Sequence, residues 1–125
     1  MILVDTSVWV EFFKGTARSG ALAALLEADE VLLHSWVLGE LVLGGLARGH
    51  DAEIADLRQL AASPVVADSE VIDLILSREL WGRSIGWVDA QLTASALVAG
   101  SGLWTFDRNL SVAARGLGLE RGPVF

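Results

Sequence analysis

Four acids stand where a chain could use them for hydrolytic chemistry: Asp5, Glu40, Asp89 and Asp107. Asp5 directly follows the apolar, β-prone run Ile2-Leu3-Val4, and Asp107 follows Leu103-Trp104-Thr105 after one residue. Such runs suit strands buried on both faces. In an open parallel sheet, ligands bind beyond the carboxyl ends of the strands, so both carboxylates enter one cleft if these strands are neighbours. Asp89 falls in the first turn of a helix expected over residues 88–99. Glu40 falls about one turn into a helix expected to open at Ser35, amid Trp36, Val37, Leu38, Leu41, Val42 and Leu43. An acid buried in such a run is costly unless something compensates it. Four converging carboxylates would repel and raise one another's pKa values, and Lys14 is the only lysine available to relieve them. Hard oxygen ligands of this kind suit Mg2+, with Mn2+ as an alternative.

Each acid also has a plainer use. Asp5 and Asp107 suit the N-caps of the helices that follow them. Asp89 suits a helix N-terminus by charge alone, and Glu40 suits a solvated face. The case for chemistry rests on the four together.

The elements that must position them follow from periodicity and punctuation. Strands are expected at Ile2-Leu3-Val4, at Val31-Leu32-Leu33, more weakly at Val65-Val66, and at Leu103-Trp104-Thr105. Helices are expected from Thr6 or Ser7 to about Phe13, then over residues 19–28, 35–47, 51–62, 68–80, 88–99 and 109–115. Gly15 and Pro64 act as breaks, residues 82–87 read as a loop, and Leu119 is expected to begin an edge strand. Strands alternating with helices predict an α/β fold: a three-layer α/β/α sandwich around a mostly parallel sheet, with residues 1–125 as one domain.

Composition narrows the function classes. The 125 residues are 53% apolar, with nine basic and sixteen acidic side chains and a net charge of −7. That excludes a disordered chain. A mainly electrostatic nucleic-acid binder would be basic, so a nucleic-acid role needs cations or a local arginine patch. Without cysteine there is no disulfide framework, thiolate site or cysteine nucleophile. His34 and His50 are too few and isolated for a histidine metal site. The start meets an acid at position five without a basic leader. The longest uncharged stretch, residues 90–106, carries Gln91, Thr93, Ser95 and two glycines, a poor membrane span. A soluble cytoplasmic protein is the expectation.

Val4-Asp5-Thr6-Ser7-Val8-Trp9, Leu38-Gly39-Glu40-Leu41, the stretch from Val88-Asp89-Ala90-Gln91 to Ala96, and Leu103-Trp104-Thr105-Phe106-Asp107 resemble, in order and spacing, the PIN domain. The nearest kind is the VapC toxin of bacterial toxin–antitoxin pairs, and the resemblance spans essentially the whole chain. It implies a metal-dependent endoribonuclease, neutralised by a small VapB-like antitoxin and commonly dimeric. The family's acids fall on Asp5, Glu40, Asp89 and Asp107. Ser7 and Thr105 stand where the family often has hydroxyls supporting the metal site, and Asn109 stands where many relatives carry a further acid. Phosphodiester hydrolysis by this route uses Asp5 and Asp89 as direct ligands, Asp107 directly or through water, and Glu40 to hold or orient a water. In-line attack would leave a 5′-phosphate and a 3′-hydroxyl.

For RNA contacts, Arg83 and Arg108 flank two of the acids and are the first candidates, with Arg18 and Lys14 next; Trp87 could stack on a base. Trp9, Phe12, Trp36 and Trp81 are expected in the core or a subunit contact. The apolar excess, with five tryptophans and a mean hydropathy of +0.51, points to surface left over for an antitoxin and a second copy. Two rival readings are a PIN-like binding module with an idle site, and an Mg2+-dependent phosphatase or receiver-type domain. The second needs a late lysine and an Asp-x-Asp after the first strand, and neither is present.

Overall fold

A computed structural model describes residues 1–120. Four short strands, β1 (Ile2–Val4), β2 (Val31–Leu33), β3 (Ala61–Ala62) and β4 (Gly102–Trp104), make one parallel sheet in the order β3-β2-β1-β4. Every residue of β2 and β4 is buried, and only Ile2 of β1 is partly open. Strands that are apolar throughout need cover on both faces. That cover is the helices α1 (Thr6–Lys14), α2 (Ala21–Glu27), α3 (Ser35–Leu41), α4 (Asp51–Leu57), α5 (Asp68–Ser77), α6 (Trp87–Ala99) and α7 (Arg108–Gly116), which give the expected α/β/α sandwich.

The topology determines where a site can form. The chain builds the sheet from β1 to β2 to β3 in one direction, then returns to place β4 on the other side of β1. The sheet therefore reverses between β1 and β4, and a crevice opens beyond the carboxyl ends of those two strands. Val4 is paired with Trp104, and the Asp5 N–H donates to the Trp104 carbonyl at 2.9 Å, so Asp5 leaves the ladder at its last rung.

Beneath the crevice, Leu3, Val8, Leu22, Leu92, Leu103 and Leu110 are fully buried in one cluster with Trp9. Each such leucine contributes about 1.5–3 kcal/mol of transfer free energy. Gly15 ends α1 in the left-handed region at φ 74°, with its N–H turned back to the carbonyls of Glu11 and Phe12. A short 3₁₀ turn, Ala17–Ser19, separates it from α2. After α3 the helix loosens into a π turn, Val42–Leu46, broken at Gly45 with φ 113°.

Three elements differ from the expectation. The third strand is Ala61–Ala62, paired with Leu32 and Leu33, and not Val65-Val66. Val66 lies in no strand because a side chain satisfies its backbone: the Gln91 amide accepts from its N–H (2.8 Å) and donates to its carbonyl (2.9 Å). The expected helix over residues 51–62 stops at Leu57, since its last residues turn to reach the sheet edge. Leu119 gives β4 one backbone bond, to the Leu103 N–H at 2.7 Å, without forming a strand up to residue 120; any continuation lies outside the described residues. Of the two places expected for Trp81, the core or a subunit contact, its 64% exposure removes the core.

Candidate active site

Asp5 is the buried member of the set, 7% exposed. It occupies the N-cap position of α1, yet its carboxylate makes no capping bond. Instead Oδ2 accepts from two hydroxyls, Ser7 Oγ at 2.8 Å and Thr105 Oγ1 at 2.7 Å. Each hydroxyl is itself oriented by the backbone after β4: the Phe106 N–H donates to Ser7 Oγ (3.0 Å) and the Asp107 N–H to Thr105 Oγ1 (3.0 Å). A hydroxyl has one proton to give. With both protons committed to Oδ2, the aim of the Asp5 carboxylate is fixed by residues almost a hundred positions apart.

Of the other three acids, Asp89 and Asp107 come from helix beginnings and Glu40 from the last turn of α3. Asp107 is exposed and caps α7, with Oδ1 accepting from the Leu110 N–H at 2.9 Å; here the capping reading holds. Asp89, half-buried in the first turn of α6, accepts from the Gly86 N–H through Oδ2 at 3.2 Å. Glu40 accepts from Thr6 Oγ1 through Oε1 at 2.8 Å. Glu40 is exposed, which corrects the idea that its apolar neighbours in sequence bury it; Val37 and Leu41 take the inner face of α3. All four acids share one pattern. One carboxylate oxygen is held by a protein donor, and the other has no protein partner among the described residues.

The four also feel one another. The Asp89 carboxyl is raised above its ordinary range, first by burial, against the lowering effect of the Gly86 N–H, and then by the charges of Asp5, Asp107 and Glu40. The fold therefore brings all four sequence candidates to one neighbourhood at the sheet switch point. Among the described residues, no three acids or histidines are drawn tightly enough together to enclose a metal ion as they stand. The donor set is nevertheless all carboxylate and hydroxyl oxygen, with a free oxygen on each acid, and this matches a hard divalent cation in type and charge.

The remaining candidates divide. Asn109 is exposed on the first turn of α7 and bonds to none of the four acids. Arg83 and Arg108 are exposed and form no ion pair among the described residues. Trp87 is 42% exposed at the start of α6, two residues from Asp89. Arg18, ranked behind them on sequence, has its guanidinium carbon over the Phe106 ring, 4.0 Å from the centroid; Phe106 stands between Thr105 and Asp107 in the chain. His34 is fully buried and takes no part in the acid group. Its Nδ1 accepts from the Trp36 N–H at 3.0 Å and caps α3, leaving the Nε2 proton for Gln91 Oε1 at 3.3 Å. Burial holds its pKa below the usual imidazole value.

Sequence reading passed over Gln91. It is fully buried, joins His34 to Val66, and lies one turn from Ser95, whose Oγ donates to the Pro64 carbonyl at 2.6 Å. The available signal was a Gln and a Ser four apart in the uncharged stretch that follows Asp89.

A family model for the PIN domain matches residues 2–116. Ribonuclease VapC32, from two strains of Mycobacterium tuberculosis, is 46% identical over 114 residues, 90% of each chain. The crystal structure of VapC20 from the same organism, described as a Sarcin-Ricin loop cleaving toxin, superposes with a TM-score of 0.65 at 24% identity, over 90% of this chain and 95% of that one. At that identity the likeness is one of fold.

Proposed function

The chain belongs to the PIN-domain family, in its VapC branch, and from that premise we propose that it is an Mg2+-dependent endoribonuclease acting as the toxin of a toxin–antitoxin pair. The observation that carries the reading is the half-satisfied state of four carboxylates gathered at one switch point, one oxygen of each held and the other left open.

Asp5 and Asp89 would hold the cation, with Asp107 completing the set directly or through a water. Mn2+ fits the same oxygens. When bound, such an ion neutralises phosphate oxygens and acidifies a water. The protein's part is positioning. Ser7 and Thr105 fix Oδ2 of Asp5 and leave Oδ1 without a protein partner among the described residues. Gly86 does the same for Asp89, and the Leu110 N–H for Asp107. Thr6 anchors Glu40, whose other oxygen orients the attacking water and takes up its proton. In-line displacement then cuts the phosphodiester to a 5′-phosphate and a 3′-hydroxyl.

The partners follow from the remaining surface. An apolar groove of about 350 Å³, floored by Trp9, Phe12, Phe13 and Leu57 and rimmed by Glu53 and Asp56, is where we place a small VapB-like antitoxin; acidic rims suit a basic, apolar segment. Ile72 and Leu76, one turn apart on α5 and both well exposed, suit a second copy in a homodimer. No helix of the described residues is long and apolar enough to cross a membrane, and we place the protein in the cytoplasm with its RNA.

The test is cleavage of structured RNAs by purified chain with Mg2+ or Mn2+ and with chelator. Cutting should need the metal and disappear in Asp5→Asn and Asp89→Asn while circular dichroism is unchanged. Equal cutting by the parent and both variants would reject the reading.

A further inference from the structure

A nest of four carboxylates repels the polyanion it is meant to cut, so something beside it has to hold phosphate. We propose that the turn between α1 and α2 is that element: Arg18, stacked on Phe106, and Lys14, at the end of α1, grip the RNA backbone on two sides of the acid group. This rests on the ribonuclease reading and adds to it the residues that seat the substrate.

Three observations support the assignment. First, Arg18 spends its guanidinium on a ring. In a chain of sixteen acids it pairs with no carboxylate among the described residues and lies over Phe106 at 4.0 Å. A cation–π contact of this kind takes none of the guanidinium's N–H donors from a carboxylate and leaves the fork that reads phosphate to be filled. Second, the ring beneath it is fixed to the site. Phe106 meets Trp104 edge-on at 5.7 Å, and its N–H donates to Ser7 Oγ, the hydroxyl that holds Asp5. The guanidinium is thus placed relative to Asp5 and Asp107 before any RNA arrives.

Third, the turn itself is built. Gly15 reverses the chain, Thr16 Oγ1 donates to the Glu11 carbonyl at 3.3 Å, and the buried Ser19 hydroxyl donates to the Thr16 carbonyl at 2.9 Å. On its other side Lys14 lines a groove of about 300 Å³ with Glu40, Gly44, Gly45 and His50. One short turn therefore presents one cation over Phe106, the chain neighbour of Asp107, and another in the groove that Glu40 also lines. Arg83 and Arg108 have no comparable support.

The test is RNA affinity, read without cleavage. A short fluorescein-labelled single-stranded RNA is titrated by anisotropy against the full chain in an Asp89→Asn background, over a range of salt. Arg18→Gln should raise Kd about tenfold and reduce the slope of log affinity against log salt by about 0.7, the loss of one phosphate contact on a single strand. Lys14→Gln should give a smaller change of the same sign. Arg18→Lys, which keeps the charge without the flat fork, should fall between. Arg115→Gln, the same charge change at the far end of α7, should stay within about twofold of the parent. No RNA binding by the parent, or equal effects of Arg18→Gln and Arg115→Gln, overturns the grip. Cutting is scored separately with the unsubstituted chain and Mg2+. Binding through Arg18 without cutting would reject the nuclease reading and leave the grip standing; cutting with affinity indifferent to Arg18 would do the reverse.

Discussion

Two polar regions of the molecule, both reached by α6, are built on opposite principles. Around Gln91 the polar groups are answered by one another: its amide holds both backbone groups of Val66, His34 gives it a proton, and Ser95 closes on Pro64 one turn along. Around Asp89 each of four carboxylates is held by one oxygen and left open at the other. A buried network that is fully paired adds rigidity and specifies the fold, whereas unpaired like charge costs stability. The contrast marks the Gln91 cluster as scaffold and supports the proposal that the Asp89 cluster is where stability is given up for chemistry.

The sharpest way to break this contrast is to remove one acid. Asp5→Asn should lower metal-dependent RNA cleavage about a thousandfold, the loss of several kcal/mol of transition-state stabilisation, with the chain still folded by circular dichroism. The counterpart in the scaffold is Gln91→Leu, which strands the Val66 N–H and carbonyl in the interior. Denaturant unfolding should show a loss of about 2–4 kcal/mol, while the chain that remains folded keeps far more activity than Asp5→Asn does. Next comes the hydroxyl clamp: Thr105→Ala or Ser7→Ala frees the Asp5 carboxylate to rotate and should cost about 10–100-fold in activity or metal affinity, with little change in stability.

The smallest effect carries the most information about sign. The Asp89 pKa is raised in the folded chain, so the folded state binds a proton more readily than the unfolded one and ionised Asp89 lowers stability. Without divalent metal, Asp89→Asn should melt above the parent at neutral pH. The gap should close as pH falls through the raised Asp89 range into the ordinary carboxylate range. His34, held neutral by burial, acts oppositely: stability is lost as pH falls below the usual imidazole value, because the unfolded chain protonates first. Both chains share that slope, so the difference between their melting curves isolates Asp89. A gap that widens toward acid would contradict the account.

Where the candidate site's acids fall in the fold could largely be read from the sequence because that placement hangs on local signals. β1, β2 and β4 are apolar triplets; Asp5 follows β1 directly, and two residues separate Asp107 from β4. What escaped was set by contacts between distant residues. Ala61-Ala62 has no β-branched side chain to announce a strand, and becomes one only because Leu32 and Leu33 present a free edge. Val65-Val66 has the composition of a strand, but its hydrogen bonds are taken by a glutamine 25 positions on. Glu40 looked buried because its neighbours are apolar, although one turn of helix was enough to carry it outward. Arg18 ranked behind Arg83 and Arg108 because its stacking partner, Phe106, comes from the other end of the chain.

The most direct test of the central claim is an anomalous difference map from crystals of the chain grown with Mn2+. The account predicts one principal peak at the carboxyl ends of β1 and β4, coordinated by Asp5 and Asp89 with Asp107 at bonding or one-water distance. A peak elsewhere, or none at Mn2+ concentrations that support RNA cleavage, would contradict it.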